Sequence, residues 1–135
     1  MNIRIKKFKI KHFSRSDGML VPYSFDKKFP IKVKRIFFLY GKKNKIRGDH
    51  AHKKCSQVFI PIKGNTVLLI NTPKNKKKIS LKYKLKKGIL VPPKNWCGVK
   101  FFDNESIVMV VCDRFYEAKD YIKNYKEYIK YLKTT

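Results

Sequence analysis

No stretch of this 135-residue chain carries the roughly 20 consecutive apolar residues that a membrane-spanning helix requires. Met1–Ile10 interleaves lysine and arginine with its apolar residues, so it lacks the continuous apolar block of a secretory signal as well. Together these absences predict a cytoplasmic protein without a membrane partner. Cysteine is scarce: Cys55, Cys97 and Cys112 are odd in number and form no CxxC, which argues against a disulfide framework and against the paired spacing of a zinc site. Acidic residues number 9 against 34 basic ones, leaving a net charge of +25. Within that excess arginine is the rare member, with 5 residues against 29 lysines. Specific phosphate and base-edge sites favour the forked guanidinium, whereas lysine is a solvated point charge. The surplus therefore reads as compositional, and no nucleic-acid partner is expected. Its physical consequence is a positive field that draws in small anions at low ionic strength. There is no internal repeat and no linker, so residues 1–135 are read as a single domain.

The residues present point to an all-β fold. Short segments rich in Ile, Val, Phe and Leu recur between turn signals such as Gly64-Asn65, Pro73-Lys74-Asn75, Pro92-Pro93 and Asp103-Asn104. They predict strands at Arg4–Phe8, Met19–Tyr23, Ile31–Tyr40, Ser56–Pro61, Thr66–Asn71, Ile79–Tyr83, Gly88–Val91, Val99–Asp103 and Ser106–Cys112. Ile31 and Val33 alternate with Lys32 and Lys34, as on a half-buried strand. This spacing suits an antiparallel sandwich or barrel. From Glu117 onward the period changes. Tyr121, Ile122, Tyr125, Tyr128, Ile129 and Leu132 recur at three and four, with lysines on the other side, predicting a C-terminal amphipathic helix.

The densest chemistry lies in Arg47-Gly48-Asp49-His50-Ala51-His52. On a strand, His50 and His52 project from one face. Two imidazoles on an inward face can hold a metal or serve as general acid and base near neutral pH. The pattern matches the cupin signature in spacing: Gln57 stands where that signature places a glutamate, and Gly64 follows at the expected interval. Gly88 and Pro92-Pro93 fit its second segment, but no third histidine follows, since His12 lies far upstream. A metal centre needs three or four ligands, and Gln57 is a neutral, weak one. Cys97 could stand in for the third imidazole, yet the carboxylate would still be missing. Acid–base chemistry without a metal is the reading these residues favour.

Four stretches carry a resemblance to one group. They are Ile31-Lys32-Val33-Lys34-Arg35 running on to Tyr40, then Arg47–Lys54 with Gln57 and Gly64. The third is Val91-Pro92-Pro93 leading to Trp96, and the fourth is Tyr116-Glu117 with Asp120–Tyr125. In this order they resemble the sugar 3,4-ketoisomerases of the WxcM-like cupin group. The resemblance implies a cupin or jelly-roll antiparallel β-barrel with a C-terminal α-helix, working as a homodimer without a metal or organic cofactor. It implies a thymidine-diphosphate-linked (dTDP-linked) 4-keto-6-deoxyhexose as substrate, with a keto group moved from C4 to C3 through an enediol, in the making of an amino deoxysugar for surface glycans.

By the same analogy His50 is the base that takes the C3 proton, and His52 positions the sugar or relays protons. Arg47 steadies the developing oxyanion or a phosphate, Gln57 orients a histidine or a sugar hydroxyl, and Tyr40 donates a proton. Trp96 packs against the sugar or the thymine. Arg15, in Ser14-Arg15-Ser16-Asp17-Gly18, belongs to an N-terminal substrate-binding segment in which the arginine is displaced by comparison with the group. An epimerase-like or non-catalytic sugar-binding cupin is the alternative.

Overall fold

The computed structural model describes residues 4–135; the first three residues of the Met1–Ile10 segment lie outside it. Twelve strands follow in order: β1 (Lys6–Lys9), β2 (Phe13–Arg15), β3 (Gly18–Leu20), β4 (Arg35–Tyr40), β5 (Ile46–His52), β6 (Gln57–Lys63), β7 (Asn65–Thr72), β8 (Asn75–Lys82), β9 (Lys87–Val91), β10 (Cys97–Phe101), β11 (Ile107–Cys112) and β12 (Tyr121–Ile122). One helix, α1 (Tyr125–Thr134), closes the chain. The strands form two five-stranded sheets, ordered β1-β9-β6-β11-β4 and β12-β5-β10-β7-β8, while β2 and β3 make a separate hairpin. Apart from the β7–β8 hairpin, the neighbours in each sheet are not consecutive in the chain, and all pair antiparallel, which is the winding of a jelly roll. The two sheets face one another without closing at their edges, so the expected barrel is a flattened one.

Alternation along the strands builds two layers of core. Phe59, Val108, Val110 and Cys112 face Leu68, Ile70, Val99 and Phe101 between the sheets. Val58, Ile60, Met109 and Val111 point the other way, where Val21, Tyr23, Phe29, Ile31 and Val33 cover them. That second layer explains why β6 and β11 are apolar on both faces. It also corrects one strand: Ile31–Val33 alternates as predicted, but it lies as an irregular cover on the outer face, and pairing starts only at Arg35.

Two local features position the site. The first is a bulge in β5. Cys97 pairs with His50, but Gly98 pairs with Gly48, leaving Asp49 as the extra residue. Gly48 (φ +93°) and Asp49 (φ +52°) take the left-handed backbone that the bulge needs. Arg47 and His50 are three apart in sequence and would occupy opposite faces of a regular strand. The bulge brings both to one side. The second feature is the start of the helix. The period beginning at Tyr121 predicts helix from there, yet Ala118–Asp120 forms a 3-10 turn and Tyr121–Ile122 a short strand against His52 and Ala51. Helix begins only at Tyr125, where the Asn124 side chain accepts from the Glu127 N–H. Its inner face, Tyr125, Tyr128, Ile129 and Leu132, packs with Ala51, Trp96 and Ile122. Among the described residues no helix is long and apolar enough to cross a membrane.

Candidate active site

The bulge and the inner faces of β4, β6 and β10 enclose a cavity of about 200 Å³. Its wall includes Phe37 and Leu39 from β4, Arg47 and His50 from β5, Gln57 from β6, and Tyr121 from β12. At roughly 30 Å³ per water the space is worth about seven waters, enough for a small ring but not for a nucleotide.

Each imidazole at the site has one nitrogen already committed. His50 Nδ1 lies 2.9 Å from the Gly48 carbonyl. A carbonyl only accepts, so Nδ1 carries the proton and Nε2 is left as a base. His52 is buried, and its Nδ1 lies 2.8 Å from the Asp120 carboxylate. The same reasoning places its proton on Nδ1 and leaves Nε2 bare; that atom is buried without a hydrogen-bond partner. The two rings stand 5.1 Å apart, and Tyr121 lies against both, 4.9 Å from His50 and 4.3 Å from His52. Burial lowers the basicity of both histidines. For His50 the neighbouring His52 adds to the effect, whereas for His52 the Asp120 carboxylate opposes it. Both rings are neutral at neutral pH.

Asp120 organises this corner. One carboxylate oxygen accepts from the Lys54 N–H at 2.7 Å, and the other accepts from His52 and, at 3.3 Å, from the Cys55 N–H. His52, Cys55 and Asp120 also bring three metal-type donors within 4.8 Å of one another. The carboxylate oxygens are occupied by N–H donors, however. The Cys55 thiol, which donates to the Ser56 carbonyl at 3.3 Å, also holds its proton far more tightly than usual, because it neighbours Cys112 and is buried. As they stand, these donors suit the orientation of His52 rather than a cation.

Cys112 is the other half of that thiol pair. Its pKa is held well below the ordinary thiol value by the neighbouring Cys55 thiol and, against the opposing effect of burial, by Arg35 and Gln57. The Arg35 guanidinium donates to Cys112 Sγ at 3.6 Å and the Gln57 amide at 3.7 Å. With one N–H of its amide directed there, Gln57 keeps its carbonyl oxygen as an acceptor for a cavity ligand. Cys97, also on the wall, is pushed up to about 12 by burial and is a neutral thiol.

The structure thus brings His50, His52, Arg47 and Gln57 together and leaves three predicted site residues elsewhere in the chain. Tyr40 is 70% exposed. Phe37 and Leu39 take the inward positions of β4, so alternation turns Ile36, Phe38 and Tyr40 outward. Trp96 neighbours the inward-facing Cys97 and so faces the opposite side. It packs against Tyr125 and Tyr128 of α1 and donates from Nε1 to Asp49 at 2.9 Å, locking the helix to the bulge rather than touching the cavity. Arg15 lies on the β2–β3 hairpin, its side chain 81% exposed and 3.5 Å from the Asp17 carboxylate. Four contributors went unassigned in the sequence: Arg35, Cys112, Asp120 and Tyr121. Their available signal was the segment Asp120-Tyr121, a buried acid beside an aromatic just ahead of the Asn124 helix cap.

Comparison with known proteins agrees with this geometry. The chain is 29% identical over 128 residues to a TDP-4-oxo-6-deoxy-alpha-D-glucose-3,4-oxoisomerase from Aneurinibacillus thermoaerophilus, covering 94% of this chain and 91% of that one. A 3,4-ketoisomerase from Thermoanaerobacterium thermosaccharolyticum, solved as a histidine-to-asparagine mutant with TDP-4-keto-6-deoxyglucose, superposes with a TM-score of 0.89 at 27% identity, over 99% and 97% of the two chains. A TDP-fucose-3,4-ketoisomerase from Campylobacter jejuni does so with a TM-score of 0.82 at 30% identity, over 94% of each. The family model for FdtA, WxcM-like, C-terminal matches residues 1–133, and with the cavity and its histidine pair in place the chain belongs to that family.

Proposed function

We propose that this chain is a sugar 3,4-ketoisomerase that converts a dTDP-linked 4-keto-6-deoxyglucose into a 3-keto-6-deoxyhexose, as one cupin domain over residues 1–135 working in the cytoplasm. The carrying observation is the histidine pair, in which both Nδ1 atoms are hydrogen-bonded and both Nε2 atoms are left as bases, with His50 on the wall of the cavity. The C3 proton is acidic because it lies beside the C4 ketone. His50 Nε2 removes it, an enediol forms, and a proton returns at C4. Arg47, on the same wall, faces negative charge on a sugar oxygen or on the diphosphate. Gln57 accepts from a sugar hydroxyl. His52, held by Asp120, sets the second imidazole behind His50. The step is a proton shuttle, and it calls for no metal or organic cofactor. The strongly positive chain favours capture of a dianionic nucleotide sugar. The product belongs to the making of an amino deoxysugar for a surface glycan.

We also propose a homodimer. β4 is the end strand of its sheet, and it exposes Ile36, Phe38 and Tyr40 on its outer face. An open, apolar edge strand is a surface that a second copy can cover.

Three outcomes are expected. Incubated in deuterated water with dTDP-4-keto-6-deoxyglucose and followed by proton NMR, the protein gives a 3-keto sugar with deuterium at C4, and His50→Ala loses about 10²–10⁴-fold in rate. An epimerised 4-keto product, or full turnover by His50→Ala, contradicts the assignment. Because both imidazoles are less basic than usual, they reach the neutral, competent form already below pH 6.5. The acid limb of the kcat/KM profile accordingly lies below pH 6.5, and a limb above 7 would mean that the fold stabilises an imidazolium instead. Light scattering at micromolar concentration reads twice the chain mass; a single-chain mass excludes the dimer.

A further inference from the structure

Moving a ketone from C4 to C3 transfers two protons. One goes from carbon C3 to carbon C4, and the other goes from the C3 oxygen to the C4 oxygen. The histidines suit the carbon transfer, but neither can start the oxygen transfer. Each begins neutral with its only N–H committed to Gly48 or Asp120, so neither has a proton on the free nitrogen to give. Among the other polar wall residues, Gln57 is no acid, the Arg47 guanidinium does not give up its proton, and the Cys97 thiol is pushed up to about 12.

Tyr121 meets the requirement. It lines the cavity beside His50, and β12 pairs it with His52 in register. Its hydroxyl oxygen accepts from Arg35 Nη2 at 3.2 Å. No acceptor among the described residues takes its hydrogen, which is free for a ligand. Arg35 is itself fixed, donating to Cys112 Sγ and lying over the rings of Phe37 and Tyr116 at 5.2 and 5.5 Å. A guanidinium held at the phenol oxygen stabilises negative charge that appears there during transfer.

Resting on the ketoisomerase reading above, we propose that Tyr121 is a catalytic acid–base residue that carries the proton between the two sugar oxygens, with Arg35 as its positioning residue. As His50 Nε2 takes the C3 proton, the C3–H electron pair becomes the new C3–C4 double bond, the C4 carbonyl π pair moves onto its oxygen, and that oxygen takes the Tyr121 proton. The products of this half are an enediol, an imidazolium and a tyrosinate paired with Arg35. In the second half the tyrosinate removes the proton from the C3 hydroxyl, the C3 carbonyl forms, and the double-bond pair takes a proton at C4 from the imidazolium. Tyrosine and imidazole end as they began, so the cycle needs no other reactant.

The test compares the wild-type protein, Tyr121→Phe, and a protein with difluorotyrosine, a more acidic phenol, at position 121. Tyr121→Phe keeps the ring against the imidazoles and removes only the hydroxyl. Its expected kcat falls by about 10²–10⁴-fold with KM little changed. In the difluorotyrosine protein the basic limb of the kcat profile moves to lower pH, which a merely structural ring would not cause. A wild-type protein that forms no 3-keto sugar removes the ketoisomerase reading and this proposal with it. An active wild type beside a Tyr121→Phe protein within threefold of its kcat removes the Tyr121 proposal alone. Should Tyr121→Phe not fold, the fluorinated protein decides, and an unmoved basic limb overturns the role.

Discussion

The buried carboxylate of Asp120 is the interaction on which the site depends. It meets the His52 imidazole and two backbone N–H groups of the turn after β5. A carboxylate taken out of water without partners is costly, and one that accepts three hydrogen bonds is not. The same contact ties the segment before α1 to β5, and that lets Tyr121–Ile122 pair as β12. Tyr121 is thereby laid across both imidazoles. One acid therefore sets a tautomer, a strand and the position of an aromatic wall.

A second constraint acts from the other side. The Gly48–Asp49 bulge turns Arg47 onto the face of His50, and the extra residue is put to use, because the Asp49 carboxylate accepts from Trp96. Trp96 in turn packs under α1. The helix that follows β12 is thus fastened to the strand bearing the histidines, and the two constraints meet around one cavity. Behind it, Arg35, Gln57 and the Cys55–Cys112 pair form a polar layer in which the Cys112 sulfur is the acceptor for two donors.

Much of this was legible in the residues. Short apolar segments between turn signals announced an antiparallel sandwich or barrel, and the resemblance to the WxcM-like group implied the jelly roll and singled out His50, Arg47 and Gln57, which line the cavity. Where other residues are placed has identifiable reasons. Tyr40 is turned outward by the same alternation that points Phe37 and Leu39 into the cavity. Arg15 sits on a hairpin whose place no local pattern reveals. Trp96 has the apolar bulk of a ligand platform, but a helix uses it as core. Asp120 and Tyr121 were hidden by a coincidence of period, since Tyr121 and Ile122 continue the spacing of α1 while belonging to a strand. Only pairing with β5, a long-range contact, separates the two. The Arg35–Cys112 contact likewise joins residues 77 apart in sequence, and no local pattern encodes it.

The central claim is that the fold holds both imidazoles neutral, protonated at Nδ1, with Nε2 free to act as a base. Nitrogen-15 NMR of the histidine rings in the intact protein at pH 7.5 reads this directly, without substrate. The account predicts that His50 and His52 both show a protonated Nδ1 and a bare Nε2, and that replacing Asp120 by alanine disturbs His52. A proton on Nε2 of either ring, or an imidazolium at that pH, would contradict it.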